Sequence, residues 1–378
     1  MRTKILATLI VAIALAQLSC LLPRGLAASY SGSYELLEHG SGSTECRLNV
    51  AVPQSLQDYY AEKNHRASSE DDFAKFVTSY TLAPIADCLE GIYSDDEDFV
   101  NGALMLVHQI PYEVTAPSKY PVETIVDNKG DCDLFSYIVA SIVKARGLDV
   151  VLLYYDSEVH MNIGVSLSHP PVDARDPAFS VTSNGVRYYV AECTGGNWQD
   201  GWRVGECPDT LRQASVQVVT LGDCEQISLG QVAASLNTLS TSSISLSVSP
   251  SSLIQGSIAT VSGELSPALQ NKTITIYVKV NGLSWTGLAT VTTDSDGRFT
   301  YAWVPDAGGV EYVRASWSGD SSYAGADSPI ETVIMLSTFF VILLGLIIVL
   351  VCAGVAVAII SRKDQQEIQT PQPPEIPS

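Results

Sequence analysis

An uncharged, strongly apolar run covers residues 335–360 near the C-terminus, and Arg362 and Lys363 follow it almost directly. About 20 apolar residues are enough to cross the hydrocarbon core of a bilayer. Basic residues beside such a run are typical of its cytoplasmic side. The run therefore predicts one transmembrane helix over residues 333–361, a cytoplasmic tail over 362–378, and all preceding domains outside the cell.

The N-terminus has the three parts of a secretory signal. Arg2 and Lys4 precede an apolar run, and small residues close the segment at about position 28. An uncleaved N-terminal anchor is the alternative interpretation. With a signal peptide over residues 1–28, the two ends together predict a single-pass protein of the cell membrane whose N-terminal domains are extracellular.

The charge balance excludes one class of partner. The chain carries 41 Asp and Glu residues against 21 Lys and Arg residues, a net charge of −20. Nucleic-acid binding needs a basic surface, so no nucleic acid is expected as a partner. The length of 378 residues and the 46% hydrophobic content suit two or three domains with cores of their own.

Six of the eight cysteines lie between the two terminal apolar runs, where an oxidising exterior would permit disulfides. Cys46 and Cys88 are the candidates for one bridge. If Cys132 is a reactive thiol, three further cysteines remain, and their pairing cannot be derived from spacing.

Residues 29–228 have the pattern of one mixed unit of helices and strands. Apolar residues repeat at steps of three and four from Leu134 to Val143, after the possible N-cap Asp131, which predicts a helix. Runs rich in Val, Ile and Tyr predict strands over 150–155, 159–165 and 187–192. Residues 229–243, rich in Ser, Thr, Leu and Ala, read as a linker.

Residues 244–332 consist of short alternating segments separated by turns such as Asn281-Gly282 and Asp296-Gly297, a pattern typical of a β-sandwich. The stretch resembles the Ig-like repeats of prokaryotic surface proteins, on the segments Ser249-Pro250, Val261-Ser262-Gly263, 293–297 and 315–320. The resemblance implies a spacer, or alternatively a carbohydrate- or protein-binding module, that folds independently of the preceding domain.

Three residues could form a nucleophilic site. Cys132 would lie in the first turn of the predicted helix, where free N–H groups favour a thiolate and can stabilise an oxyanion. His160 faces away from the apolar positions of its strand, and Glu192 ends a later strand from which it could orient the imidazole. Each feature alone is ordinary, since buried cysteines, surface histidines and exposed glutamates are common.

The three taken in order resemble the transglutaminase-like (papain-type) superfamily. The matching residues are Gly130-Asp131-Cys132, then His160, then Glu192-Cys193-Thr194, preceded by the segment 120–125. The sequence departs from the pattern because Glu replaces the usual Asp and Cys193 replaces a frequent Pro. No Trp matches the oxyanion donor of the family, and Tyr112 is the candidate substitute.

The resemblance implies an α+β transglutaminase-like (papain-like) domain over 29–228, followed by the Ig-like sandwich and the transmembrane helix. It also implies a cysteine peptidase or amidase that forms a thioester on protein or peptide amides, with Cys132, His160 and Glu192 as the catalytic residues. Transamidation by an amine is a further outcome of the same chemistry. The alternative is a non-catalytic surface adhesion or assembly module with a degenerate triad. No cofactor or metal is expected.

Overall fold

The computed structural model describes residues 30–38, 45–305 and 308–367. The predicted signal peptide lies outside this part of the chain. The first two strands, β1 (Tyr30–Leu37) and β2 (Glu45–Val52), pair antiparallel. Strand β8 (Ala233–Ser235) pairs with the other edge of β2 and completes a three-stranded sheet.

A group of helices follows this sheet in the chain. They are α1 (Gln54–Ala61), a 3-10 helix (Glu70–Phe76), α2 (Ser79–Ile92), α3 (Asp96–Val107), α4 (Pro121–Asp127) and α5 (Cys132–Ala145). Helix α5 is the central one, because every side chain from Leu134 to Val143 is buried. It has no exposed face over these turns, so protein surrounds it.

The next part of the chain forms a five-stranded antiparallel sheet with the strand order β5-β6-β4-β3-β7. The strands are β3 (Val150–Tyr155), β4 (His160–Val165), β5 (Ser180–Ser183), β6 (Val186–Ala191) and β7 (Gln217–Thr220), with the short helix α6 (Asp209–Arg212) before β7. Ser136 of α5 donates a hydrogen bond to the carbonyl oxygen of Met161 in β4, so the side chain joins the helix to the centre of this sheet.

Residues from 243 onward form two further sheets, of order β14-β11-β9 and β10-β17-β15-β12-β13, with β16 paired to β15. Buried residues from both sheets, such as Val261 and Trp303 on one side and Ile276 and Val313 on the other, form a common core. The strands are β9 (Ser243–Ser249), β10 (Ser252–Ile254), β11 (Ala259–Ser266), β12 (Thr273–Val280), β13 (Trp285–Thr292), β14 (Arg298–Trp303), β15 (Gly309–Gly319), β16 (Ala324–Asp327) and β17 (Glu331–Leu336).

One buried arginine joins this sandwich to helix α1. Arg314 of β15 is 2% exposed, and its guanidinium lies 4.1 Å from the centroid of the Trp285 ring. Its Nη1 is 2.6 Å from Asp58 Oδ2, and its Nη2 donates to the carbonyl oxygen of Ser55. The stacked, doubly bonded guanidinium therefore holds the sandwich against α1.

The segment 229–243, which the sequence predicts to be a linker, contributes to the same contact. It contains β8, and the carbonyl oxygen of Leu229 accepts a 2.9 Å hydrogen bond from Thr275 Oγ1 of the sandwich. Gln231 N donates to Ser318 Oγ at 3.0 Å. These contacts favour one cooperative body over two units that unfold separately.

Replacing Arg314 with Ala should therefore lower the free energy of unfolding by on the order of 3 kcal/mol, because it removes a buried guanidinium that stacks on Trp285 and bonds to Asp58 and Ser55. It should also split a single calorimetric transition into two. The matched control is Arg298→Ala, whose partner Glu264 is 3.5 Å away with both side chains more than half exposed. That change should cost less than about 1 kcal/mol. Equal effects of the two changes in calorimetry would contradict the docked arrangement.

The predicted fold class is wrong. The described residues form mainly β-sheet, with seventeen strands in four sheets and eight helices. The prediction extrapolated a whole α+β transglutaminase-like domain from motifs within about residues 95–200. Local motifs specify neither the antiparallel sheet order nor the return of β8 to β2, which depend on long-range pairing.

The predicted membrane span is also contradicted. Helix α7 covers Thr338–Glu367. Among the residues that the structure describes, no helix is both long and apolar enough to span a bilayer. The prediction of one span over 333–361, and the membrane anchoring and cell-surface localisation that it implied, is therefore wrong. The prediction rested on the apolar run and on the basic residues that follow it, and in the structure α7 is one helix that also includes the charged residues 362–364.

Cys46 and Cys88 are free thiols in the structure, so the predicted bridge is not present. Cys46 Sγ instead lies 3.8 Å from Glu38 Oε1. Burial, followed by the charge of Asp87, raises the pKa of the Cys88 thiol to about 11. Each sulfur therefore has surroundings of its own that keep it protonated at neutral pH.

Candidate active site

The register of two neighbouring strands brings His160 and Glu192 together. In the antiparallel pair of β4 and β6, Ile163 lies opposite Ala191. The residue after β6, Glu192, therefore comes opposite Asn162. His160 lies two residues earlier on the same face of β4 as Asn162, because side chains alternate along a strand. A carboxylate placed just past the end of β6 thus reaches the histidine.

Glu192 is fully buried and accepts several hydrogen bonds. Its Oε2 lies 2.9 Å from His160 Nε2 and accepts from Asn162 Nδ2 at 3.2 Å, while Oε1 accepts from both the hydroxyl and the backbone N–H of Thr194. Burial alone would raise the pKa of Glu192, but the hydrogen bond and charge of His160, with help from Thr194, lower it. Glu192 is therefore an anion at neutral pH.

His160 lies between this carboxylate and the thiol of Cys132. Burial by itself would lower the pKa of His160, but hydrogen bonds to Cys132 and Glu192 and the negative charge of both raise it to about 10. Because Nε2 faces Glu192, Nδ1 is the ring nitrogen left for Cys132. The arrangement therefore favours a protonated His160, with a buried carboxylate at one ring nitrogen and a thiol at the other, which is the geometry of a thiol–histidine pair.

Cys132 is held at the first position of α5, where backbone N–H groups lack intrahelical partners. Ser136 donates to the carbonyl oxygen of Cys132 at 2.7 Å and fixes this turn against β4. Gly130, just before the helix, is packed so closely that a Cβ would lie 3.0 Å from Phe135 and Thr124. Its carbonyl accepts from Glu113 N, which places the neighbouring Tyr112 beside the cysteine.

Two carboxyl groups flank the cysteine. Asp131 accepts from Thr115 N at 2.7 Å, and Asp133 accepts from Ser118 Oγ at 2.9 Å. Burial, followed by the neighbouring carboxyl of Asp131, raises the pKa of Asp133 to about 7. Asp133 is therefore partly protonated near neutral pH, which reduces the negative charge that would otherwise oppose a thiolate at Cys132.

Because the pKa of Asp133 is raised in the folded state, the folded protein binds this proton more tightly than the unfolded chain does. This stabilisation is present below about pH 4 and is lost as the pH rises towards 7. Asp133→Asn cannot ionise, so its stability relative to the natural protein should increase between pH 4 and 8, by up to about 4 kcal/mol at about 1.4 kcal/mol per pKa unit. Urea unfolding at both pH values checks this. The exposed Asp87→Asn serves as the control, and a pH-independent difference for Asp133→Asn would contradict the expectation.

Sequence reasoning did not identify His108, which is 6% exposed. Its Nε2 donates to the carbonyl oxygen of Glu192 at 3.2 Å, and burial lowers the pKa of His108. Gly201 allows this approach, since a Cβ there would lie 2.5 Å from His108 Nδ1. A neutral His108 thus anchors the segment that carries Glu192. No sequence pattern signals this contact, because it joins positions 84 residues apart.

Two cavities have Tyr112 and His160 in common in their linings. One, of about 330 Å³, is lined by Cys132, His160, Tyr112 and a set of apolar side chains. The other, of about 600 Å³, lies on the far side of Tyr112 and His160, next to the backbone of Thr194-Gly195-Gly196. Tyr112 is 58% exposed. Partial burial and the charge of Cys132 raise its pKa, so its hydroxyl keeps its proton as a donor.

The structure thus brings Cys132, His160, Glu192 and Tyr112 to one cleft, and leaves Cys46 and Cys88 outside it. Asn162, Thr194 and His108 are the residues that support the carboxylate. The sequence could have indicated Thr194, because it lies two residues after Glu192 and a hydroxyl at that spacing can donate a hydrogen bond to the carboxylate. No group of three or more His, Cys, Asp or Glu residues in the described ranges could hold a metal ion.

Comparison with protein-family models and with curated proteins finds no match. Among solved structures, the chain is similar to a chitin-binding domain from Burkholderia pseudomallei, with 13% identity, a TM-score of 0.19, and coverage of 22% of this chain and 56% of that one. It is similar to the bacterial hydrophobin BslA at 12% identity and a TM-score of 0.18, covering 27% of this chain and 100% of that one.

A tetra-tandem repeat from the extending region of a large adhesion protein has 13% identity and a TM-score of 0.20, covering 49% of this chain and 42% of that one. At these scores none of the three likenesses carries an argument about fold or function. None of the three structures is transglutaminase-like, and none of them supports a protease or hydrolase assignment.

Proposed function

We propose that the protein is a cysteine-dependent amidase or peptidase that acts on protein or peptide amides through a thioester. The observation that carries the proposal is the position of His160, held between the Cys132 thiol and the buried carboxylate of Glu192. A histidine with a purely structural role does not require a buried carboxylate at one ring nitrogen and a thiol at the other. A histidine that acts as the acid and base for a nucleophile requires both.

The chemistry begins with the Cys132 thiolate and the His160 imidazolium. The sulfur attacks the amide carbonyl carbon and a tetrahedral oxyanion forms. The C–N bond then breaks, and His160 gives its proton to the departing amine, leaving the acyl group on sulfur as a thioester. Water attacks the thioester while His160 takes up a proton from it. The C–S bond breaks, the carboxylic acid leaves, and the ion pair returns.

The oxyanion has two sources of donors in this cleft. The N–H groups of the first turn of α5 lack intrahelical partners, and the positive end of the helix dipole favours a negative oxygen there. Tyr112 lines both cavities and supplies a hydroxyl. We therefore assign the oxyanion site to the start of α5, with Tyr112 facing it across the cleft.

Water is the acyl acceptor in this proposal, because exposed residues such as Tyr112, Val114 and Val159 leave the cleft open to solvent. Mixing the full chain with p-nitrophenyl acetate should give a burst of one p-nitrophenolate per chain, followed by slower turnover. Mass spectrometry should locate the acetyl group on Cys132. Cys132→Ala should abolish the burst, whereas Cys46→Ala should keep it. Acetylation elsewhere, or a burst that survives loss of Cys132, would overturn the proposal.

A further inference from the structure

The smaller cavity beside Cys132 has an apolar wall of unusual composition. Its apolar residues come from four separate segments of the chain: Phe73, Val114, Tyr154, Val159 and Met161. The rings of Phe73 and Tyr154 meet edge to face at 5.3 Å. Val114 and Val159 are both 79% exposed at the opening of the cavity. Two branched apolar side chains are thus exposed to water in the lining of the cavity that contains the nucleophile.

The backbone of Val159 supplies a second, independent observation. Its φ is +48°, a left-handed conformation that a β-branched residue adopts only with strain. Asn or Gly would fit the turn between β3 and β4 better. Strain that persists next to a site residue, here immediately before His160, points to a role for the side chain itself. We therefore attribute the valine at this position to the contacts of its side chain in the cavity, since a valine does not stabilise the turn.

Two carboxyl groups also belong to the lining of this cavity, those of Asp131 and Asp133. Asp131 is 6% exposed, and its Oδ2 accepts from Thr115 N. Carboxyl groups at this position would repel an acidic side chain of the substrate.

We infer that this cavity is a specificity pocket for a large uncharged apolar side chain, aromatic or branched aliphatic, of the residue that carries the attacked carbonyl. The inference rests on the proposed function and adds the substrate class to it. The larger cavity shares His160 and Tyr112 with this pocket and has both apolar and polar residues in its lining, so it would take the rest of the peptide. The volume of about 330 Å³ accommodates one such side chain.

The test uses N-acetyl amino-acid chloromethyl ketones of Phe, Leu, Gly and Glu on the full chain. These probes alkylate a site thiol by loss of chloride, and peptide mapping locates the label. Each rate is divided by the iodoacetamide rate of the same variant, so that thiol reactivity cancels. The Phe and Leu probes should modify Cys132 about 10- to 100-fold faster than the Gly probe. The Glu probe should be the slowest.

Three matched variants locate the preference. Val114→Asn and Val159→Asn should each reduce the Phe-to-Gly ratio by about fivefold or more. Val159→Asn should also raise the Tm, because Asn accepts a left-handed backbone, so a lost preference cannot be ascribed to damaged folding. Val172→Asn is the control, being equally exposed but lining neither cavity.

A normalised Phe-to-Gly ratio near one in the natural protein would overturn the specificity pocket. The proposed function would then still stand if iodoacetamide reacts rapidly with Cys132. If the Phe-to-Gly ratio is unchanged in both Val114→Asn and Val159→Asn, the preference arises elsewhere and the assignment to this cavity is overturned. Slow iodoacetamide labelling together with a high ratio would support the pocket and count against the proposed function.

Discussion

Replacing His160 with Gln should lower turnover of p-nitrophenyl acetate by about 10²- to 10⁴-fold, the range that a positioned acid–base group typically contributes. Gln keeps a donor for the buried Glu192 but can neither take nor give the proton. The thiol would then lack its imidazolium partner, so acylation of Cys132 should slow as well. Steady-state release of p-nitrophenolate by the full chain measures the effect.

The control for this change is a second histidine–carboxylate pair with the same geometry. His65 Nε2 lies 2.9 Å from Glu123 Oε2, both side chains are mostly buried, and the other ring nitrogen, Nδ1, bonds to the carbonyl oxygen of Lys63 instead of facing a thiol. His65→Gln should leave turnover within about twofold of the natural protein. If both substitutions lower turnover equally, the effect comes from general loss of packing and the catalytic assignment of His160 fails.

Replacing Glu192 with Gln should lower turnover by about 100-fold or more, because the imidazolium would lose the anion that stabilises it. The pKa of His160 should fall from about 10 towards its ordinary value, since one of its two anionic neighbours is removed. The turnover profile should therefore lose its alkaline part first. At pH 6 the imidazolium is still largely formed, so alkylation of Cys132 should change much less than turnover.

A pH profile separates this role from a structural one. A purely structural Glu192 would lower stability and leave the shape of the pH profile unchanged. The matched control is Glu123→Gln, which removes a carboxylate from the other histidine pair and should leave the profile unaltered. An unshifted profile for Glu192→Gln, with turnover lowered at all pH values alike, would count against orientation and charge stabilisation by Glu192.

Local patterns predicted the elements that carry the site. The helix predicted after Asp131 is observed as Cys132–Ala145, and the strand predicted over 150–155 is observed over the same residues. Alternation along β4 placed His160 and Asn162 on one face, and the register of β4 with β6 then brings Glu192 to them. The periodicity of apolar residues and the order of the elements were sufficient to predict this part of the site, because His160 and Glu192 belong to strands that are neighbours in the sheet.

Long-range contacts left no such trace in the sequence. Arg314 meets Asp58 across 256 positions, and nothing in its strand distinguishes a buried arginine from an exposed one. The strain at Val159 is a property of the backbone and cannot be read from the residue type.

The central claim is that Cys132 is an activated thiol. Its most direct test is the rate of iodoacetamide alkylation of Cys132 in the full chain between pH 5 and 10, followed by peptide mapping, with N-acetylcysteine as the reference. The ion pair with His160 predicts a rate at pH 6–7 at least about tenfold above that of the free thiol, whose ordinary pKa is about 8.5. A Cys132 rate that follows N-acetylcysteine across this range, or falls below it, would contradict the catalytic account.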